Sequence, residues 1–237
     1  MMFPRAVLTL GAVCLPSALA AGQFPLPQGC TAYATVQMRS CLVSQHYRCD
    51  DEPEGTQWAV QSDGQGPYFA NLIDRETRWL QSYDLYTGEQ DRLGEEKDPA
   101  SFSDLLEKGR DDFDFFTESS YGELRRYVGH DRLTGQTHTI DGIVLEQTEF
   151  QLTAYDADGG EIWSRSGNQF IHRGWRIFLP GTEHFENSYG DKVDTVESPV
   201  EFALPGDKGF LENEPKYDCD TLTASLQLTP MDGGPRP

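Results

Sequence analysis

The chain has few basic residues, few cysteines, one long apolar run and no familiar catalytic motif. It contains no G-x-S-x-G, S-x-x-K, C-x-x-C or H-E-x-x-H pattern, which sets aside the common serine, disulfide-exchange and zinc-dependent hydrolase signatures. Lys and Arg total 19 against 39 Asp and Glu, a formal charge of −20. A field of that sign repels nucleic acid and anionic membrane surfaces, so neither is expected as a partner. The one apolar run, residues 6–15, is too short to span a bilayer. With Arg5 before it and Ala18-Leu19-Ala20 after it, residues 1–20 are expected to be a signal peptide cleaved near Ala20. Val13 stands before Cys14, where a lipoprotein signal needs a small residue. The mature chain is therefore expected in the periplasm, or secreted, and not membrane-spanning.

Four cysteines follow the signal: Cys30, Cys41, Cys49 and Cys219. An even number in an oxidising compartment implies two disulfides. Cys41 and Cys49 cannot join within one strand, because eight residues at about 3.3 Å each span roughly 26 Å. Of the pairings that remain, Cys30–Cys49 fits a hairpin turning near Arg39-Ser40, which leaves Cys41–Cys219. The C-x₂₋₄-C spacing of a structural zinc site is absent.

What is present reads as strands. Residues 129–182 hold three to four extended runs joined by Asp/Gly turns. One turn recipe recurs, at Asp84-x-x-Thr87-Gly88, Asp131-x-x-Thr134-Gly135 and Asp156-x-x-Gly159-Gly160. Asp accepts a backbone N–H two residues on, and Gly supplies the positive φ that closes a hairpin. The third copy begins like a calcium loop, but its fifth and twelfth positions, Gly160 and Gly167, carry no side-chain oxygen. Within 144–154, Val144, Phe150, Leu152 and Ala154 share one face, opposite Glu149, Gln151 and Thr153. Residues 170–179 carry apolar groups on both faces and read as a strand covered on both sides.

Earlier, residues 31–39 and 42–48 read as a strand pair after a loose arm at 22–29. Strands follow at 57–61, 67–73 and 77–86, and 93–99 reads as a polar connection. Residues 101–108 are the best helix, with Ser101 and Asp104 as a capping box, a stripe of Phe102, Leu105 and Leu106, and a stop at Gly109. In 110–117, Phe113 and Phe115 share one face and Asp112 and Asp114 the other. Residues 121–128 form another strand. After 182 the strands shorten, 205–217 reads as loop, 221–228 as a last strand or short helix, and 230–237 as a disordered tail.

The expected fold is mainly β: an antiparallel meander sheet curved into a barrel or half-barrel, with one short α-helix packed on it. One domain, 21–229, is expected between the signal peptide and the tail. Periplasmic carriers of lipids and lipoproteins use a curved sheet of this kind, a likeness of fold alone. The expected function is a non-catalytic exported binding or accessory protein, with a hydrophobic small molecule or an envelope protein on the curved sheet. A purely structural docking domain is a further reading. The alternative is a secreted hydrolase or metal-dependent enzyme, for which Asp112, Asp114, His172, His184 and Glu186 are the available groups. They would have to converge within roughly 4–5 Å in a cleft. No catalytic, cofactor-binding or metal residue is assigned, and no cofactor is expected.

Overall fold

The computed structural model describes residues 22–220; the expected signal peptide, the strand or helix at 221–228 and the tail lie outside the described residues. Thirteen antiparallel strands form one sheet, in which every sequential neighbour from the first to the twelfth pairs as a meander. They are β1 (Cys30–Met38), β2 (Leu42–Cys49), β3 (Gln57–Asp63), β4 (Gly66–Ile73), β5 (Trp79–Asp84) and β6 (Gln90–Asp98). After helix α1 (Phe102–Lys108) come β7 (Arg110–Ser119), β8 (Leu124–Ile140), β9 (Ile143–Tyr155), β10 (Glu161–His172), β11 (Ile177–Asn187), β12 (Lys192–Val196) and β13 (Pro199–Ala203). The last strand crosses over to pair with β1.

The sheet is curved and not closed, because β12 and β13 form its two edges. The chain itself spans that seam. Glu197 N–H donates to the Gly181 carbonyl on β11, and Arg39 N–H donates to Ser198, beside β1. Val36, Met38 and Leu42 and, on β13, Phe202 therefore share a buried cluster with Leu145, Phe170 and Leu179, which come from the far strands.

Both disulfides join the residues that the hairpin reasoning selects. Cys30 and Cys49 stand opposite each other at the open end of β1–β2, and Cys41 at the hairpin tip binds Cys219. The second bond ties down a strap, residues 205–219, laid along β1 and β2. Gln37 Nε2 donates to the Glu214 carbonyl while its Oε1 accepts from Lys216 N–H. Gln45 Nε2 donates to the Glu212 carbonyl, and Thr35 Oγ1 accepts from Leu211 N–H. So 205–217 is loop by conformation, as expected, but it is anchored by these hydrogen bonds, with half-buried Phe210 and Leu211 packed against the cluster around Tyr47. The 22–29 arm is likewise anchored: Phe24 N–H donates to the Leu211 carbonyl, and the ring packs on Tyr47 at 5.9 Å.

Several local expectations are corrected. Residues 93–99 are not a connection but most of β6. The run 170–179 is not one strand but the hairpin between β10 and β11, turning at 173–176. Both of its faces are nonetheless covered. Phe170 and Leu179 join the cluster at the seam, and Ile171 and Phe178 pack on α1. The Asp131-to-Gly135 recipe does not turn the chain. It forms an irregularity inside the long strand β8, where the register to β9 shifts between Leu133 and Thr137. The real turn is Asp141-Gly142, with φ of 49° and 81°, the two-residue geometry that matches strand twist. Facing also changes along β9: Val144, expected on the face of Phe150, Leu152 and Ala154, is 55% exposed, and Leu145 is fully buried in its place.

Helix α1 is capped as expected: Ser101 Oγ accepts from Asp104 N–H, and Gly109 closes it at φ 78°. A residue from another segment reinforces the start. Glu76 accepts from Ser103 N–H and from an Arg176 guanidinium, tying the helix to the β10–β11 turn.

Candidate functional site

Strand β7 has period 2, and its odd positions face inward. Asp111, Phe115, Thr117 and Ser119 are buried along that face, and Phe113 lies with them. The even positions carry Asp112 and Asp114, which lie on the wet face as expected. Asp112 takes the Arg110 guanidinium at 2.6 Å and Asp114 that of Arg126 at 2.5 Å. Phe113 stands opposite Gly129 on β8. A Cβ at 129 would lie 2.8 Å from the Phe113 ring and 2.1 Å from the Gln151 carbonyl oxygen. Glycine is what lets this ring lie against the strand.

The inward face of β7 is one wall of a cavity of about 160 Å³, closed by α1 and by strands β5, β6 and β8–β11. Six aromatic rings line it: Trp79, Phe102, Phe113, Phe115, Phe150 and Phe178. Trp79 is 38% exposed, with its edge against Phe115 and Tyr127 at 5.5 Å, so it stands between the cavity and solvent. Four carboxylates and two guanidinium groups also line the space. Arg78 is held by Asp74 at 2.5 Å and Glu96 at 3.2 Å. Arg165 approaches Glu183 at 3.6 Å and covers the Trp163 ring at 4.6 Å. The remaining two carboxylates, Asp111 and Asp131, are cross-strand neighbours on β7 and β8. Like charges directly opposite are unfavourable. Asp111 Oδ2 accepts from Ser101 N–H at 2.9 Å; among the described residues no hydrogen bond reaches the Asp131 carboxyl. Burial pushes Asp111 up to about 6, against the pull of that hydrogen bond. Burial, and then the charge of Asp111, push Asp131 up to about 7.

The five residues available for a carboxylate–His enzyme are not brought together. Asp112 and Asp114 are paired on β7 as above. His184 Nδ1 meets Asp194 at 2.7 Å, and Glu186 meets Lys192 at 2.9 Å, both across β11–β12. His172 accepts the Trp175 N–H at 3.0 Å in the β10–β11 turn. Strands β8, β9 and β10 lie between β7 and β11. Among the described residues no group of three or more His, Cys, Asp or Glu side chains is arranged to hold a metal ion. His46, the most buried histidine, sits beside Ser44 at 2.9 Å, and burial lowers it to about 4, so it is neutral.

The carboxylates that do converge, Asp111 and Asp131, are ones that sequence reasoning passed over. The signal for Asp111 was present: it shares the parity of Phe113 and Phe115. A wider groove of about 440 Å³, bordered by Arg48, Arg75, Trp175 and Arg176, is more open and has no comparable aromatic wall. Comparison with protein-family models, with curated proteins and with solved structures returned no match.

Proposed function

We propose that this chain is an exported, non-catalytic binding protein whose ligand is a small, largely apolar molecule held in the aromatic cavity. The observation that carries the reading is the cavity itself, with six rings around about 160 Å³ of space. An apolar cavity of roughly 150 Å³ accepts a benzene-sized molecule. That scale favours a single-ring ligand over a diacyl lipid in this conformation. Concave, mostly apolar sites with a few polar groups are the usual form of small-molecule pockets. Export is supported by the two disulfides, which persist in oxidising compartments. It is also supported by the leader-like composition of residues 1–20.

The test is native mass spectrometry of protein purified without detergent, followed by calorimetric titration of the stripped protein with benzyl alcohol. A bound mass of single-ring size, or saturable benzyl alcohol binding that Phe115→Ala weakens, is expected. A bare chain that also takes up no benzyl alcohol at millimolar concentration overturns the proposal and favours the protein-docking alternative. A released lipid mass would move the ligand to the concave sheet surface.

A further inference from the structure

Three features of the cavity wall bear on the ligand's charge. The first is compensation. Each guanidinium on the wall already has a carboxylate, Arg78 with Glu96 and Arg165 with Glu183, whereas Asp111 and Asp131 face each other with no cation between them. The second is the absence of hydrogen-bond partners. Among the described residues Asp131 receives no hydrogen bond, and Glu96 Oε1 is buried without a partner on the same wall. The third is the rings. Aromatic faces attract a cation through their quadrupole, and aromatic cages are the common device for ammonium groups. Phe113 lies two residues from Asp111 on the same face of β7 and opposite Gly129, which is two residues from Asp131 on β8.

We infer that the cavity takes a small organic cation, an aromatic or alkylated amine of about benzylamine size, whose ammonium group faces the Asp111–Asp131 pair while its apolar body lies among the rings. This inference rests on the cavity being a ligand site. A cation there would supply the charge the pair lacks. Without one, the cross-strand repulsion is relieved only by leaving a carboxyl protonated. Facing carboxylates partly withdrawn from water with no compensating charge destabilise a fold, and a charged ligand would supply that charge. A neutral ligand would not.

The test compares benzylamine with benzyl alcohol, which share a ring and differ in charge, by calorimetric titration near neutral pH. The full disulfide-intact protein is used throughout. Benzylamine is expected to bind at least about tenfold more tightly than benzyl alcohol. Asp131→Asn and Asp111→Asn should each abolish most of that preference, read as the ratio of the two affinities within each variant. Circular dichroism of the variants checks that they fold. Equal affinity of the two compounds for the unaltered protein overturns the cation assignment and leaves the cavity reading standing. So does a preference that survives both substitutions. If neither compound binds, the ligand site itself is lost and the assignment with it.

Discussion

The β1–β3 face under the strap and the β6–β9 wall of the cavity both bury polar side chains, and they treat them in opposite ways. On the first, Thr35, Gln37, Gln45 and Ser62 are almost wholly buried, and each is hydrogen-bonded. Their partners are mostly backbone groups of the strap, a segment with no regular structure of its own to satisfy them. On the second, Glu96 Oε1 is buried without a partner among the described residues and Asp111 faces Asp131, while Asp91 Oδ1 and Thr148 Oγ1 are left in the same way elsewhere on strands β6 and β9. A buried polar group with its partner holds two segments in register; one without a partner lowers stability. The first region is therefore built for integrity. The second gives up stability around a space that holds nothing of the chain itself, which is the pattern expected of a site.

The comparison is broken most severely by releasing the strap. Cys41–Cys219 closes a separation of 178 residues and Cys30–Cys49 one of 19. On the loop-entropy account the first contributes about 5 kcal/mol and the second about 3 kcal/mol. Replacing both Cys41 and Cys219 by Ala should therefore lower the guanidinium midpoint more than replacing Cys30 and Cys49. It should also expose Gln37 and Gln45 to hydrogen exchange. Equal losses would mean that the strap stays seated through its hydrogen bonds alone.

The cavity wall should respond to pH in a way the strap does not. Asp111 and Asp131 have folded values of about 6 and about 7, above the ordinary 3.8. A raised value means that folding favours the protonated form. This contribution is complete below pH 4 and is lost as the pH rises through 6 to 7. The neighbouring Asp98, Asp104 and Asp112 act on Asp111 in the same direction. Other carboxylates have lowered values and oppose the trend, Asp114 beside Arg126 among them. The readout is thus the difference between Asp131→Asn and the unaltered chain. The substitution should stabilise by about 2 kcal/mol at pH 8 and by close to nothing at pH 4, measured by urea unfolding at both. A loss of stability at pH 8 would show that the ionised carboxylate is structurally needed, and would place it with the strap residues.

How much of this was legible in the sequence follows from which interactions are local. The helix was readable because Ser101, Asp104 and Gly109 act within one segment. So was the disulfide pairing, because a hairpin fixes which cysteines face each other. The Asp131–Gly135 recipe misled because a positive-φ glycine serves a bulge as well as a turn. Only the partner strand distinguishes them, and Asp141-Gly142 was the stronger turn signal close by. Strand β6 escaped notice because most of its side chains are exposed, so it has little apolar periodicity and is held mainly by its ladder to β7. The strap carries no signal at all, since its partners Gln37 and Gln45 lie more than a hundred residues away in sequence. Asp111 was within reach through the parity of its own strand. Asp131 was not, because its facing depends on the register of β7 against β8.

The smallest effects give the sharpest contrast, because two substitutions of the same kind should differ in sign. Gln37→Leu keeps the volume and removes both hydrogen-bonding groups, leaving the Glu214 carbonyl and the Lys216 N–H unmatched under the strap. It should cost about 2 kcal/mol. Thr148→Val also exchanges a polar group for an apolar one at a fully buried position, but the hydroxyl it removes has no partner. It should gain about 1 kcal/mol, since only the desolvation penalty disappears. Urea titrations of both variants beside the unaltered protein decide the matter. If Thr148→Val loses stability as Gln37→Leu does, the hydroxyl is satisfied in solution, by an ordered water for instance. Strand β9 beside the cavity would then be paired as the strap is, and the contrast between the two regions would rest on Glu96 and the Asp111–Asp131 pair alone.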